Sequence, residues 1–376
     1  MKSIETILIT GGAGFVGSFT IDLLIKKGYK VTILDNLEKQ VHNKMIPNYL
    51  NKDAKFIEGD IRDKIGLKKL IQNVDAIIHL AAMVGVGQSM YNFEKFIDVN
   101  TKGTATLLDV LLKQENNVKK LIIASSMSLY GEGAYKCELC CQVHYPPIRN
   151  EKQLEKKIWE LLCPTCDHLL KVIPTDENTP LMPTSVYAMT KRHQEELCLI
   201  FGKTYDFPTV AMRYFNIYGP RQAINNPYTG VCSIFSNRIL NNLGPYLFED
   251  GCQTRDFIHV KDVAEANVLA LEKKYADNQI FNIGSGKNTS IHFLSESLIK
   301  LHGIALTPII SQEYRKGDIR HCIADISKAK EKLGFEPKYN ITDGLKEYVE
   351  WTKKLNNVSD TFNNALQELK KMKLTE

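Results

Sequence analysis

The sequence predicts an α/β fold, a doubly wound parallel sheet with a smaller C-terminal domain and a cysteine-rich insertion. Three observations carry this. Short apolar runs alternate with amphipathic stretches over the first third of the 376-residue chain. A glycine-rich turn follows the first run. Residues 132–180 then break the pattern with charge and paired cysteines.

In chain order, "TILIT", "KVTILD", "AKFIEGD", "DAIIHLAA" and "KKLIIASS" are short and continuously apolar, as strands covered on both faces must be. Between them, "VGSFTIDLLIKKG" and "NTKGTATLLDVLLKQ" carry apolar residues at helical spacing. The helix "YAMTKRHQEELCLIFGKTY" leads into a further strand, "TVAMRYFN", and "NQIFNIGSG" gives another. Beyond about residue 220, Asn, Pro and Tyr fill loops between helices expected near 288–302, 327–334 and 342–355. The last twenty residues are expected to form a polar terminal helix or to fray.

The expected organisation is a dinucleotide-binding domain over 1–131 and 181–215, and an insertion over 132–180. Residues 216–355 form a mainly substrate-binding domain with segments returning to the sheet, and 356–376 form a tail.

Composition excludes several classes. Hydrophobic residues make up 44% and charged residues 24%, enough for a large core. The 48 basic and 43 acidic residues nearly balance and are interspersed, which argues against a nucleic-acid surface. The N-terminus carries no secretory pattern, and no run approaches a membrane span. Nine cysteines suit a reducing compartment, so a soluble cytoplasmic protein is expected.

"LITGGAGFVG" places Gly11, Gly14 and Gly17 between a strand and a helix start. One glycine serves the tight turn, one the approach of a pyrophosphate, and one close helix–strand packing. Asp35 ends the second strand about twenty residues on, where an acid holds a ribose hydroxyl pair. A carboxylate there favours NAD over NADP. The alternative for Asp35 is a plain turn residue. Asp60 and Ile61, in "GDIRD", are candidates at the adenine, or turn and core.

Tyr187 and Lys191 in "SVYAMTK" share one helix face. Tyrosine is a poor base at neutral pH, and a neighbouring ammonium together with a cationic nicotinamide would favour its phenolate. "IIASSMSLYG" offers Ser125, Ser126 and Ser128 to orient a sugar hydroxyl. Taken alone, a Y-x-x-x-K is equally a surface helix.

Together with the glycine turn, "HLAA", "SSMSLYG", "YAMTK", "RYFNIYGPRQ", "RDFIHVKDV" and "FNIGSG" resemble the extended short-chain dehydrogenase/reductase family, the sugar-nucleotide epimerases and dehydratases. The resemblance covers nearly the whole chain apart from the insertion and the tail. It implies a Rossmann-type fold, tightly bound NAD and a homodimer built from helices flanking the active site. It implies Ser126, Tyr187 and Lys191 as catalytic residues. Cofactor contacts implied besides those above are Phe15, Val16, Asn36, Leu80, Ala81, Ala82, Asn100 and Ser125. On the substrate side it implies Ser89, Ser126, Met127, Asn216, Arg221, Arg255, Arg315 and Asp318. Arginine suits a diphosphate because its planar fork binds two oxygens; the alternative for Arg255 and Arg315 is a surface ion pair.

Dehydratases of this family carry an Asp-Glu pair after the catalytic Thr, where this chain has Met127 and Ser128. Elimination is therefore disfavoured, and 4-epimerisation, which needs no second acid or base, is expected. "VGVGQSMY", "NPYTGV" and "GDIRHC" look most like the branch that converts dTDP-L-rhamnose to dTDP-6-deoxy-L-talose. The alternatives are a UDP-glucose or UDP-N-acetylglucosamine 4-epimerase, a dehydratase or decarboxylase, and a non-catalytic NAD-binding regulator.

Within the insertion, Cys137/Cys140 and Cys163/Cys166 form two C-x-x-C pairs separated by 22 residues. Two such pairs give the closed four-sulfur cage that structural zinc favours, and the spacing resembles a zinc ribbon. Cys141, His144 and His168 are expected to be bystanders, and Cys198, Cys232, Cys252 and Cys322 core or pocket residues. Lying between the Ser126 strand and the Tyr187 helix, the insertion is expected to sit above the substrate mouth as a lid or interface element.

Overall fold

The structure is a computed structural model that describes residues 4–376. Seven parallel strands form its large sheet: β1 (Thr6–Thr10), β2 (Lys30–Asp35), β3 (Lys55–Glu58), β4 (Ala76–His79), β5 (Lys120–Ser126), β6 (Thr209–Tyr214) and β7 (Gln279–Ile283). Their spatial order is β7-β6-β5-β4-β1-β2-β3. Because successive side chains on a strand point to opposite faces, Ile7 and Ile9 of β1 join one core and Leu8 joins the other. The first core is closed by α1 (Phe15–Lys26), the second by α2 (Lys64–Ile71), α3 (Gly103–Lys113) and α4 (Val186–Thr204). This is the doubly wound arrangement the apolar runs predict.

Winding reverses at β1, which pairs with β2 on one side and β4 on the other. A crevice opens at such a switch point, beyond the carboxyl ends of the strands. The glycine turn and the Leu80–Ala82 segment flank it.

Two elements depart from the sequence reading. The strand expected to run from 209 to 216 ends at Tyr214, because the chain changes partners. Phe215 N–H donates to Ile283 O, whereas Asn216 N–H donates to Asp256 O and starts a separate parallel pair, Asn216–Tyr218 with Phe257–His259. The helix expected to begin at Asn100 opens instead as a π-helical turn, Ile97–Lys102.

The C-terminal half adds α5 (Val231–Leu240), α6 (Val260–Glu272), α7 (Ile291–His302) and α8 (Ile341–Thr352). Phe235, Leu294, Leu298, Leu345 and Tyr348 knit α5, α7 and α8 into another core, while Val263 and Leu271 of α6 pack on the sheet beside α1. The tail folds as α9 (Phe362–Lys371), which buries Phe362, Ala365 and Leu369.

The insertion carries a three-stranded antiparallel sheet, with Tyr135–Cys137 between Val143–His144 and Leu170–Val172. Its expected position as a lid is not what the structure shows. Among the described residues, none from 132 to 180 lines the central cleft. The insertion packs instead behind the wall, on Glu249 and residues 318–323: Arg149 Nη1 bonds Glu249 at 2.9 Å, and Thr175 N–H bonds Ile323 O at 2.8 Å. The ion pair to Glu249 and hydrogen bonds to the backbone of 318–323 hold it there.

Candidate active site

A cleft of about 750 Å³ runs from the glycine turn across the carboxyl ends of the strands to α9. At one end the chain approaches itself too closely for side chains. Gly11 has φ +70°, and a Cβ on it would stand 2.7 Å from Ala81 N; one on Gly17 would stand 2.6 Å from Gly12 Cα. Gly14, Phe15, Val16 and Gly17 face the cleft at the start of α1, where first-turn amides have no intrahelical acceptor.

Asp35 is buried at the cleft edge, its carboxylate accepting from Ala13 N at 3.0 Å and Leu37 N at 2.9 Å. Burial pushes its pKa up, against those two amides. Asn36 donates to Asp60 at 2.9 Å, and the Arg62 guanidinium holds the Asp60 carboxyl well below the usual range. Asn36, Asp60, Ile61, Leu80, Ala81, Ala82 and Ser125 all reach the cleft. An elongated groove with a helix N-terminus, a cradle that Cβ atoms would fill and a buried carboxylate fits a dinucleotide.

The residues expected to form the reacting centre are brought together by β5 and α4. Ser185 caps α4, its Oγ accepting from Ala188 N at 3.1 Å, and this sets Tyr187 in the first turn. Burial raises the Tyr187 pKa to about 12, opposed by the neighbouring Ser126 hydroxyl. Ser128 Oγ donates to Ser126 Oγ at 2.9 Å, leaving the Ser126 proton free for Tyr187 or a ligand. Lys191 Nζ donates to Ala124 O at 2.6 Å and Gln194 Oε1 at 2.9 Å. Burial lowers its pKa to about 8.

Behind Lys191, a buried chain of polar contacts runs from Gln194 through Thr104 and His79 to Thr10. Ser125 donates to Glu195 at 2.6 Å, and Glu195 in turn pairs with Arg213. Ser126, Met127, Tyr187 and Lys191 all line the cleft, and no acidic residue stands at 127 or 128.

The opposite wall is cationic. Arg255 makes no ion pair among the described residues; its guanidinium donates to the carbonyls of Thr254, Ile319 and Arg320. A partly buried cation held only by neutral carbonyls is matched to an anionic ligand. Arg315 stacks on Phe248 at 4.6 Å and is fixed by Asp318 at 2.7 Å. Arg221 also reaches the cleft, but it is bound by Asp22 at 2.7 Å and stacks on Phe19. Asn216 faces the same space, and its buried Oδ1 has no protein partner.

Two expected contact residues lie one layer back. Ser89 is fully buried and accepts from Tyr187 N at 3.0 Å, so it positions the first turn of α4. Asn100 Oδ1 accepts from Met83 N at 2.7 Å and its Nδ2 donates to Thr190 Oγ1 at 2.9 Å, bracing the wall behind the cleft. Of the remaining cysteines, Cys198, Cys232 and Cys322 are core residues, whereas Cys252 is exposed and none of them lines the cleft.

The structure adds cleft residues the sequence reading missed. Gln222 and Gln253 line the cleft with buried amide oxygens that lack a protein partner. Gln222 stands beside Arg221 in "GPRQ", but no spacing marks it out. Phe362, Leu366, Leu369 and Leu374 of the tail also line it. Their signal was legible: Phe362, Leu366 and Leu369 recur at helical i, i+4, i+7 spacing.

In the insertion, the thiols of Cys137, Cys140, Cys163 and Cys166 converge, all within 4.8 Å of one another. Cys141 is exposed, whereas His144 Nε2 stands 3.4 Å from Cys163 Sγ.

The sequence pattern of the NAD dependent epimerase/dehydratase family matches residues 7–150 and 164–284. The unmatched stretch between those ranges falls within the insertion. Among curated proteins, the dTDP-L-rhamnose 4-epimerase of Burkholderia thailandensis is 34% identical over 92% of this chain and 94% of its own length. A putative UDP-glucose 4-epimerase of Methanocaldococcus jannaschii is 36% identical over 93% of this chain and 99% of its own. Among solved structures, the UDP-glucose 4-epimerase of Thermotoga maritima with UDP-glucose superposes with a TM-score of 0.76 at 34% identity, covering 93% of this chain and 99% of that one.

Proposed function

The chain belongs to the NAD dependent epimerase/dehydratase family, and from that premise we propose that it inverts C4 of a nucleotide sugar, dTDP-L-rhamnose to dTDP-6-deoxy-L-talose. The observation that carries the epimerase reading is the reacting centre itself. Ser126, Tyr187 and Lys191 meet at the cleft, and the positions next to Ser126 offer no acid or base for elimination.

NAD, when bound along the Gly11–Gly17 turn and Asp35, supplies the hydride acceptor and donor for C4. The chain handles protons and orientation. Ser126 bonds the C4 hydroxyl and Tyr187 takes its proton as the carbon is oxidised to the ketone. The Lys191 ammonium favours the phenolate electrostatically. Arg255, Arg315 and Asn216 hold the diphosphate while the keto sugar turns over. Tyr187 then returns the proton to the oxygen on the inverted carbon, so the cycle is redox-neutral and NAD stays bound.

The choice of a 6-deoxy sugar is supported by the strings "VGVGQSMY", "NPYTGV" and "GDIRHC" and by the Burkholderia relative. A UDP-glucose 4-epimerase is favoured to a similar degree by the archaeal and Thermotoga relatives. Incubation with dTDP-L-rhamnose and, separately, UDP-glucose, followed by NMR of the products, decides between them. Conversion of the UDP sugar alone would sink the finer reading, and release of water from either would sink epimerisation.

The same reading makes the chain a homodimer, with Met189 and Ile200 exposed on α4 and Leu112 on α3 as the apolar surface it would cover; light scattering tests it. Nine free cysteines suit the reducing cytoplasm. A structural zinc at the cysteine tetrad completes the reading, away from the reacting carbon.

A further inference from the structure

We propose that the cysteine tetrad holds one Zn²⁺ whose role is to brace, from behind, the cleft wall that carries Arg255, Arg315 and Asp318; this rests on the nucleotide-sugar reading of the cleft. The metal site comes first. Cys137 and Cys166 Sγ are 3.5 Å apart, and Cys140 and Cys163 Sγ are 3.7 Å apart. Four sulfurs at ~2.3 Å from one tetrahedral zinc stand about 3.8 Å from each other. None of the four is in a disulfide.

The two C-x-x-C segments are also built alike. The residue after each second cysteine, Cys141 and Asp167, takes the left-handed conformation, with φ of 58° and 56°. Within the first pair, Cys140 N–H donates to Cys137 Sγ at 3.5 Å. Amides pointing at thiolates are what a metal-bound cysteine pair requires, since the sulfurs keep negative charge. The sulfurs share one small core with Tyr135, Leu161 and Leu170. Four sulfurs close the coordination sphere, so the ion has no open position for chemistry.

The mechanical route leaves from the same strand. Tyr135, two residues before Cys137, is fully buried and bonds the backbone of His321 through both its hydroxyl lone pair and its proton, at 3.1 and 3.2 Å. Glu132 accepts from Arg320 N at 2.7 Å. Glu160, three residues before Cys163, accepts from the Arg320 guanidinium at 2.9 Å and pairs with His321 at 3.1 Å. Arg149 reaches Asp318 O at 3.1 Å.

The insertion thus grips residues 318–321 on one side. Arg255 grips the other side through the carbonyls of Ile319 and Arg320, and Asp318 fixes Arg315. An antiparallel sheet with strands of two or three residues has little stability of its own. Cross-linking its two turns through one ion supplies the rigidity.

Metal analysis by mass spectrometry of the full chain, purified without added metal, should find one zinc per chain, lost in Cys140→Ser/Cys163→Ser. Absence of metal, or iron in its place, overturns the site. The bracing role is read by calorimetric titration with dTDP and UDP. The zinc-free variant should bind its preferred nucleotide about tenfold more weakly, with NAD content unchanged. Should that variant fail to fold, Glu160→Gln carries the test: it should keep zinc yet weaken nucleotide binding to a similar extent, while Lys171→Ala, on the ribbon's exposed face, changes neither.

Equal nucleotide affinity with and without zinc, or in Glu160→Gln, overturns the bracing role and leaves the metal site standing. If the unmodified chain bound neither nucleotide, the cleft reading would fall and the bracing role with it, and the zinc content would still decide the site.

Discussion

Gln194 Oε1 lies 2.9 Å from Lys191 Nζ, and with Ala124 O it is one of the two acceptors the buried ammonium has among the described residues. Burial already lowers the Lys191 pKa to about 8. The proposed role needs the charged form, so activity should fall on the alkaline side as Lys191 loses its proton. Removing an acceptor destabilises the ammonium and moves that limb to lower pH. Gln194→Leu should shift it down by ~1 pH unit, the equivalent of a hydrogen bond to a charged group. A pH–rate profile of the holoenzyme checks this; an upward shift would contradict it.

Tyr187→Phe removes the proton acceptor and leaves the ring in place against Phe96. Turnover should fall by roughly 10³-fold, the scale of general base catalysis. NAD content and thermal stability should stay close to the parent. Ser126→Ala should lose less, about 10²-fold, because the phenol remains. Rates that match the parent in either variant would remove that residue from the mechanism.

At the other end of the cleft, Gly11→Ala tests the cradle. The new Cβ would meet Ala81 N at 2.7 Å, and φ of +70° is unfavourable for any side chain. Strain of about 1–3 kcal/mol is expected, with loss of co-purifying NAD. Absorbance of the supernatant after acid denaturation measures the cofactor directly.

How legible all this was depends on how local each signal is. The β1 turn and Asp35 are set by neighbours in sequence, so their spacing marked them, whereas the Tyr187–Lys191 pair took its meaning only beside the glycine turn and the family motifs. Seven parallel strands follow from continuous apolar runs with helices between. Ser89 and Asn100 were readable as polar residues near the site, but not as braces, because their partners Tyr187 and Thr190 lie 98 and 90 residues away. The cysteine spacing announced a tetrad. It said nothing of which side the insertion would pack on, which hydrogen bonds to residues 318–323 decide. The apolar face of the tail stood in the i, i+4, i+7 spacing of Phe362, Leu366 and Leu369, but spacing does not say what that face covers.

Stability should fall in acid through buried histidines. His79 lies between Thr10 and Thr104 and is fully buried, which lowers its pKa to about 3 from 6.5. Between those values the unfolded chain binds a proton that the native chain refuses. Stability is therefore lost as pH falls from about 6.5 toward 3, by ~1.4 kcal/mol per pH unit for this one group. His259 and His302, each lowered to about 4 by burial, act in the same direction. Urea denaturation at pH 7 and pH 5 should show the loss, and His79→Gln should make the difference smaller. A pH-independent midpoint would contradict the neutral assignment.

The last test concerns the tail. Phe362, Leu366, Leu369 and Leu374 line the cleft, and Glu368 accepts from Tyr228 at 2.5 Å and Tyr91 at 2.9 Å, two hydroxyls that also meet each other at 2.6 Å. Beyond α9 the chain pairs with the segment that carries Arg315, Lys316 N bonding Leu374 O at 2.9 Å. Burial of the Phe362 and Leu369 side chains alone contributes ~3–6 kcal/mol before ordering entropy, so the docked state dominates. The tail therefore belongs to the binding surface. Removing residues 356–376 should raise KM for the nucleotide sugar about tenfold or more, with a smaller change in kcat, because the reacting groups on β5 and α4 stay put. Glu368→Ala, which loses both tyrosine contacts but keeps the apolar face, should fall between the truncation and the parent. Unchanged KM in the truncated chain would mean that the tail covers space the substrate never uses.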